Sequence, residues 1–346
     1  MNIHKPIIFL LLAFISSAVH AATLPGIPEF IDEMVTKHNF KRANLERVFN
    51  DAQIIPSVIE DISRPATIKP WLEYRAAFVN PQRIRLGVEF WHRYRKALRH
   101  AERKYGVPQE IIVALIGVET IYGQDSGTFR TIDALTTLAF DYPPRAKFFR
   151  AELEDFLLLA REQHLNLLTV RGSYAGALGI PQFMPSSYRI YAVDFNGNHK
   201  INLLREATDA IGSVGNYLKG FGWVSDAQGN SEVARADTSL PNKAHVSARA
   251  PIAVRAQVSE EICVGEIATP RTIGAWSEAG IVSSVNLDPR WSARLIDFTV
   301  GDGKEFWLAF KNFDVITRYN NSDFYAMSVF QLAEALKEAR KSKNAK

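Results

Sequence analysis

Val118-Glu119-Thr120-Ile121-Tyr122-Gly123 closes an apolar segment that opens at Val107-Pro108. Pro108 suits the first position of a helix, where its missing N–H costs nothing, and Glu110 complements the positive end. Ile111, Leu115, Val118 and Tyr122 recur at helical spacing and predict the core face. Gly123 is the expected stop. Glu119 lies beside that stripe, one turn before the end. Burial and the negative helix terminus both disfavour its anion, so both push its pKa up. A carboxyl group kept protonated near neutral pH can act as a general acid. An exposed helical glutamate that borders the core is the alternative reading of the same pattern.

The chain around this helix divides by composition. Residues 25–105 read as helices with aromatic anchors; the longest is expected over 81–105, ending at Gly106 with Arg103 and Lys104 in its last turn. Residues 107–225 are helical too, broken by a Gly- and Pro-rich loop at 172–187. From 226 to about 300 turn clusters and short alternating segments take over, with a strand expected over 245–258 and a small helix over 272–280. A strand is expected at 306–310. A helix follows over 322–340, with Met327, Phe330, Leu332 and Leu336 inward. The organisation expected is a signal peptide at 1–21, an N-terminal helical region at 22–105 and a core at 106–225. A β-rich insertion at 226–300 and a C-terminal segment at 301–346 that completes the core follow.

The leader is read from Lys5, the apolar run 7–15 and Val19-His20-Ala21, the pattern of secretory export. The run is short for a membrane span, and an uncleaved anchor is the alternative. No cysteine stands near the cleavage point to accept a lipid. The sole cysteine, Cys263, can form no internal disulfide and reads as a buried strand thiol. Hydrophobic content of 47% supports a real core, and 41 Lys and Arg against 37 Asp and Glu make the chain mildly basic. That suits a polyanionic partner only weakly. The charges look scattered along the sequence, without a nucleic-acid footprint, and the basic run at 337–346 reads as a fraying helix end.

Several chemistries are excluded. There is no G-x-S-x-G elbow, P-loop or G-x-G-x-x-G, and no H-E-x-x-H or other close zinc spacing. His92 and His100, two turns apart, read as surface residues. What remains is carboxylate chemistry with aromatic and polar side chains. The loop Gly172-Ser173-Tyr174-Ala175-Gly176-Ala177-Leu178-Gly179-Ile180-Pro181-Gln182-Phe183-Met184-Pro185-Ser186-Ser187 lets a ligand approach its backbone closely. Ser173 and Gln182 offer hydrogen bonds; Tyr174 and Phe183 offer flat faces. Ser186 or Ser187 would cap a helix starting near Tyr188. An ordinary connecting loop is the competing reading.

Taken with Glu119 and Phe140-Asp141-Tyr142-Pro143-Pro144-Arg145, this loop resembles the lytic murein transglycosylase B family. The likeness continues through Tyr191-Ala192-Val193-Asp194-Phe195-Asn196-Gly197-Asn198, Asp209-Ala210-Ile211-Gly212-Ser213-Val214 and Ile316-Thr317-Arg318-Tyr319-Asn320-Asn321-Ser322. It spans nearly all of the chain beyond the leader, in one order. The resemblance implies a mainly α protein with a lysozyme-like catalytic core, additional N-terminal helices and a small β-rich inserted domain. It implies cleavage of the β-1,4 bond between N-acetylmuramic acid and N-acetylglucosamine in peptidoglycan, without water, to a 1,6-anhydro end. Glu119 maps to the family's single catalytic acid and base. Ser173 and Gln182 would lie beside the muramyl N-acetyl group, and Tyr74 in the sugar groove. Tyr217, Tyr319, Asn320 and Tyr325 would form the far wall, with core packing as their alternative. Arg145 matches a basic position suited to the peptide stem or the lactyl carboxylate, where the family often has two Arg and this chain has Pro144 and Arg145.

The family also carries an EF-hand-like loop, onto which Asp194, Asn196, Asn198, the Lys200 carbonyl and Asp209 map. His199 stands where EF-hands want Gly, and neutral residues replace acids at the third and fifth positions. A structural calcium ion is thus left open, and no cofactor is required. Peptidoglycan glycan strands are the implied partner, with wall-synthesis or remodelling proteins beside them. Nucleic acid and a stable membrane span after processing are not expected. The location implied is the periplasm. A hydrolytic muramidase and a catalytically silent wall-binding protein are the rival functions.

Overall fold

The computed structural model describes residues 24–64, 69–225, 252–258 and 269–344. The expected leader at 1–21, Cys263 and the first part of the strand expected over 245–258 lie outside them. The described chain is mainly α. Helices α1 (Ile27–His38), α2 (Arg42–Asp51), α3 (Pro56–Ser63), α4 (Trp71–Phe78), α5 (Pro81–Arg93) and α6 (Arg95–Tyr105) lead to α7 (Gln109–Thr120), which carries Glu119. The single helix expected over 81–105 is two. At Tyr94 the backbone leaves the helical region (φ −102°, ψ 20°), and the Tyr94 ring packs on Phe90 with centroids 4.7 Å apart.

Ten of the twelve residues of α7 are buried, so it is wrapped on every side rather than along one stripe. It packs against the C-terminal helix Asp323–Asn344, α5, α6 and α11 (Ala207–Gly220). Each fully buried Ile, Leu or Val contributes roughly 1.5–3 kcal/mol, which anchors the glutamate's helix at the centre of the molecule. Between α7 and α11 come the short ribbon β1 (Phe129–Arg130) with β2 (Arg171–Gly172), and helices α8 (Thr131–Phe140), α9 (Ala146–Glu162) and α10 (Pro185–Tyr191). The C-terminal helix buries Met327, Leu332 and Leu336 and half-buries Phe330, and it runs past the expected end at 340.

The β-rich unit is an antiparallel sheet of β3 (Ala253–Val258), β4 (Arg271–Thr272), β5 (Ile281–Ser283), β6 (Ser292–Val300) and β7 (Gly303–Ala309), in the order β4-β6-β7-β3-β5. It overruns the boundary expected at 300, because β7 pairs with both β6 and β3. Gly301, at φ 58°, opens the tight turn that sets Val300 opposite Gly303. The helix Ile273–Glu278 follows β4, capped by Thr272, whose hydroxyl accepts the Ala275 N–H at 3.2 Å. Strand alternation divides the faces of β6. Ala293 and Leu295 join Val254, Trp276 and Leu308 in a small core, while Ile296 and Phe298 join the main one. There Phe298 packs on Trp71 of α4, with ring centroids at 4.5 Å. The sheet therefore backs the helix that presents Tyr74.

Candidate active site

The C-terminal end of α7 is unusual in its backbone. The helix stops at Thr120, and Ile121 (φ 50°), Tyr122 (φ 63°) and Gly123 (φ 87°) are left-handed in succession. Pro108 is the cap rather than the first helical residue. A left-handed β-branched residue such as Ile121 costs about 1–2 kcal/mol, held here by tertiary contacts. Tyr122, expected to end the helical core stripe, instead swings between α5 and α7. Its ring fits because residues 87 and 117 are glycine: a Cβ at Gly117 would lie 2.6 Å from its Cζ, and one at Gly87 2.3 Å from its hydroxyl. That hydroxyl donates to the Arg83 carbonyl at 2.9 Å. The Arg83 guanidinium donates to the Gly117 and Val118 carbonyls, placing a cation at the negative helix end.

Glu119 is partly exposed amid buried neighbours. Burial pushes its pKa up to about 7, against a hydrogen bond donated by Tyr325 and the nearby Arg83 charge, which favour the anion. Among the described residues no other carboxylate influences it. Burial first, and then the charge of Glu119, raise the hydroxyl pKa values of Tyr74, Tyr319 and Tyr325. Tyr217 is raised by burial, then by Tyr191 and Glu119. Four residues expected to line the groove therefore gather around the carboxyl group. Tyr319 stacks on Tyr325 with an interplanar angle of 11° and meets Tyr217 edge-on at 4.8 Å. Tyr74 packs among Trp71, Phe78 and Phe324. Tyr217 is also a core residue with a satisfied hydroxyl, bonded to the Arg318 carbonyl at 2.7 Å. Tyr325 is as deeply buried, but its hydroxyl is turned to Glu119.

The Gly-rich loop is tied to this end of α7. Thr120, fully buried beside Glu119, donates to the Ile180 carbonyl at 2.8 Å and accepts the Gly123 N–H at 2.9 Å. Tyr319 donates to the Pro181 carbonyl. Gln182, left-handed at φ 53°, donates through Nε2 to the Ser126 (3.1 Å) and Gly179 (2.8 Å) carbonyls, leaving its Oε1 as an acceptor. The Ser173 hydroxyl oxygen accepts the Ala175 and Ala177 N–H groups at 3.3 and 3.0 Å, leaving its proton to donate. Arg145 and Asn320 stand apart. The Arg145 guanidinium lies over the Phe148 and Phe149 rings at 4.5 and 5.0 Å, Asn320 is exposed, and no described contact joins either side chain to Glu119.

The Transglycosylase SLT domain family matches residues 24–334. The chain belongs to that family. It is 41% identical to the membrane-bound lytic murein transglycosylase B of Escherichia coli K12 over 92% of this chain and 84% of the relative. The solved E. coli lytic transglycosylase Slt35 in complex with calcium matches with a TM-score of 0.79 at 41% identity, over 92% of this chain and 95% of that one. SltB3 of Pseudomonas aeruginosa, in complex with NAG-NAM-pentapeptide, matches with a TM-score of 0.76 at 26% identity, over 90% of this chain and 78% of that one. The fold is thus the mainly α, lysozyme-like fold of the SLT transglycosylases.

Within this SLT-family site, Arg83 and Thr120 are contributors that the sequence did not single out, and Tyr122 reads there only as part of the core stripe. Their partners lie far along the chain, and only Gly87 and Gly117 hinted at a close approach. The Tyr325 bond gives a test. Tyr325→Phe removes a donor that favours the anion, so the Glu119 pKa is expected to rise above about 7. The alkaline limb of the pH–rate profile would move to higher pH; a limb that moves down would show that the bond favours the neutral acid.

The EF-hand-like loop keeps its shape in part. Asp194 accepts the N–H groups of Gly197 (2.8 Å), Asn198 (3.2 Å) and His199 (2.7 Å), which hold its pKa down. His199 takes the left-handed backbone, φ 66°, that EF-hands assign to glycine. Asn196 and Asn198 turn their amides to the Glu206 carboxylate. Asp209 is fully buried and accepts the Phe195, Asn196 and Asn202 N–H groups, which makes it an anchor of the loop. Glu206, not Asp209, is the carboxylate that faces Asn196 and Asn198. Asp194, Asn196, Asn198 and Glu206 offer oxygens of the type a hard cation takes, with less charge than a tight EF-hand provides, and among the described residues no three His, Cys, Asp or Glu side chains cluster as a metal site.

Proposed function

We propose that this chain is a lytic transglycosylase that cuts the β-1,4 MurNAc–GlcNAc bond of peptidoglycan without water, with Glu119 as acid and then base. The observation that carries the reading is one carboxyl group, raised to about 7 by burial, with no second carboxylate among the described residues influencing it. Ordinary glycosidases use two. A lone group suffices when the substrate supplies the nucleophile. Glu119 gives its proton to the glycosidic oxygen as the C1–O4 bond breaks. The resulting carboxylate then takes the O6 proton as O6 bonds to C1, which restores the acid and yields the anhydro end.

Ser173, through its unused proton, and Gln182, through Oε1, would hold the muramyl N-acetyl group. Tyr74, Tyr217, Tyr319 and Tyr325 would wall the cleft, with Asn320 at its exposed margin. Arg145 would meet the peptide stem only where substrate extends to it. The murein named in one relative and the muramyl pentapeptide bound to another support this substrate class. Calcium, the ion in the Slt35 complex, would be held by Asp194, Asn196, Asn198, the Lys200 carbonyl and Glu206 in a structural role. The reaction itself needs no cofactor. Among the described residues no helix is long and apolar enough to cross a membrane. Export to the periplasm through the 1–21 leader completes the reading.

Mass spectrometry of digested sacculi tests it: anhydromuramyl ends are expected, and reducing muramic ends would assign hydrolysis instead. The pH dependence is a second check. Because the protonated acid is the active form, the rate is expected to fall about tenfold per pH unit above about 7. A rate that climbs through that range would remove Glu119 as the acid.

A further inference from the structure

We propose that the outward face of α6 is an electrostatic docking surface for an anionic phospholipid bilayer. Lys96, Arg99, His100, Arg103 and Lys104, with Arg95 at the edge, are all exposed. At helical spacing the five Lys and Arg side chains fill roughly half the circumference as one cationic arc, with His100 among them. Leu98, Ala101 and Tyr105 occupy the opposite side and are buried. The cations that look interspersed in the sequence are therefore gathered in space.

What sets this helix apart is the absence of neutralising partners. Elsewhere exposed helical cations find an acid three or four residues away, as in Glu33–Lys37, Arg85–Glu89 and Glu338–Lys341. Here Arg95–Arg99 and Arg99–Arg103 are like-charge pairs at that spacing, which destabilises the helix. Among the described residues Arg93, Lys96, Arg99 and Arg103 form no ion pair. Glu102, the one acid of α6, accepts the Gln109 side-chain amide at 2.6 Å. Beside the first turn of α6 lies a cavity of about 420 Å³, bounded by Arg93, Arg95, Lys96, His100, Phe195 and Thr208. It has the volume and the charge for a phosphodiester headgroup.

The position and the chemistry favour a bilayer over a glycan subsite. Trp91 and Glu102 both bond Gln109, the first residue of α7, so this face adjoins the end of α7 opposite Glu119. Twelve helical residues put the two ends roughly 17 Å apart. The inner face of α6 is already used by the core, so no apolar side is left to insert. Long, mobile cations on a rigid rod match a dense planar array of phosphates, and binding of this kind is peripheral and salt-sensitive.

The test is flotation of the full chain with vesicles of phosphatidylethanolamine and phosphatidylglycerol, against vesicles of phosphatidylcholine alone. Binding to the anionic vesicles only is expected, with release in about 1 M salt, where the Debye length is about 3 Å. Each basic residue at such a surface is worth roughly fivefold in affinity. The variant K96Q/R99Q/R103Q is thus expected to bind about 100-fold more weakly while digesting soluble muropeptides at the parent rate. No preference for anionic vesicles, or equal binding by the variant, would overturn the proposal. So would a variant that loses retention on sacculi but keeps its vesicle binding, which would assign the face to the wall polymer.

Discussion

Glu119→Gln is expected to lower turnover on sacculi at least about 1,000-fold, the scale on which a positioned acid and base contributes, with retention on the wall preserved. The same substitution should change stability in a pH-dependent way. The folded pKa is about 7 against an ordinary 4.5. Below 4.5 the carboxyl is protonated in both states, and the substitution gains nothing there. As pH rises from 4.5 the unfolded chain ionises while the folded one resists, so the native protein loses stability until pH passes 7. The full loss is up to about 3 kcal/mol. Glutamine is spared it. Glu119→Gln should therefore melt above the parent at pH 8 and level with it at pH 4. Equal melting at both values would show an unperturbed carboxyl, and an active variant would remove Glu119 from the chemistry.

Gly117→Val is the second large effect. The Tyr122 ring occupies the space where a side chain at 117 would stand, with its hydroxyl 2.5 Å from the Cβ position. Gly87 and Leu336 close the other side of that space. A displaced ring must give up its bond to Arg83, and Arg83 its hold on the last carbonyls of α7. Overpacking of this kind costs about 3 kcal/mol, read as a fall of roughly 4 °C in Tm for a chain of this size. Activity should fall with it, because Glu119 lies two residues on. Combining Gly117→Val with Tyr122→Ala should recover part of the stability, since the two sites share one volume. Strictly additive losses would mean that the ring is not what the glycine accommodates.

Much of this arrangement is legible in the sequence, for physical reasons. The apolar run 107–118, with a single acid near its end, encodes both the buried helix and the raised pKa. The Gly- and Pro-rich loop announces a backbone that something must approach. What escaped is what depends on the sign of φ or on distant pairing. Periodicity carries Tyr122 onward along the helix stripe, whereas three left-handed residues turn it aside. Nothing local in the 81–105 segment marks the break at Tyr94. The strand near 306 is visible, yet its membership of the sheet rests on partners in β3 and β6. Asp209 has the right chemistry for a cation, but it is fully buried as an anchor of the loop, and Glu206 is the carboxylate that the two asparagine amides meet. The α6 arc shows the converse: cations spaced by Leu98 and Ala101 look diluted until the helical turn collects them.

The bond between Tyr325 and Glu119 joins residues 206 positions apart. Loop closure over such a span comes late in folding, after local helices have formed. A chain whose last helix has not docked therefore carries a solvated glutamate, ionised at neutral pH and unable to donate. The raised proton affinity of Glu119 is thus a property of the completed fold, in which segments from both ends of the chain meet around one carboxyl group.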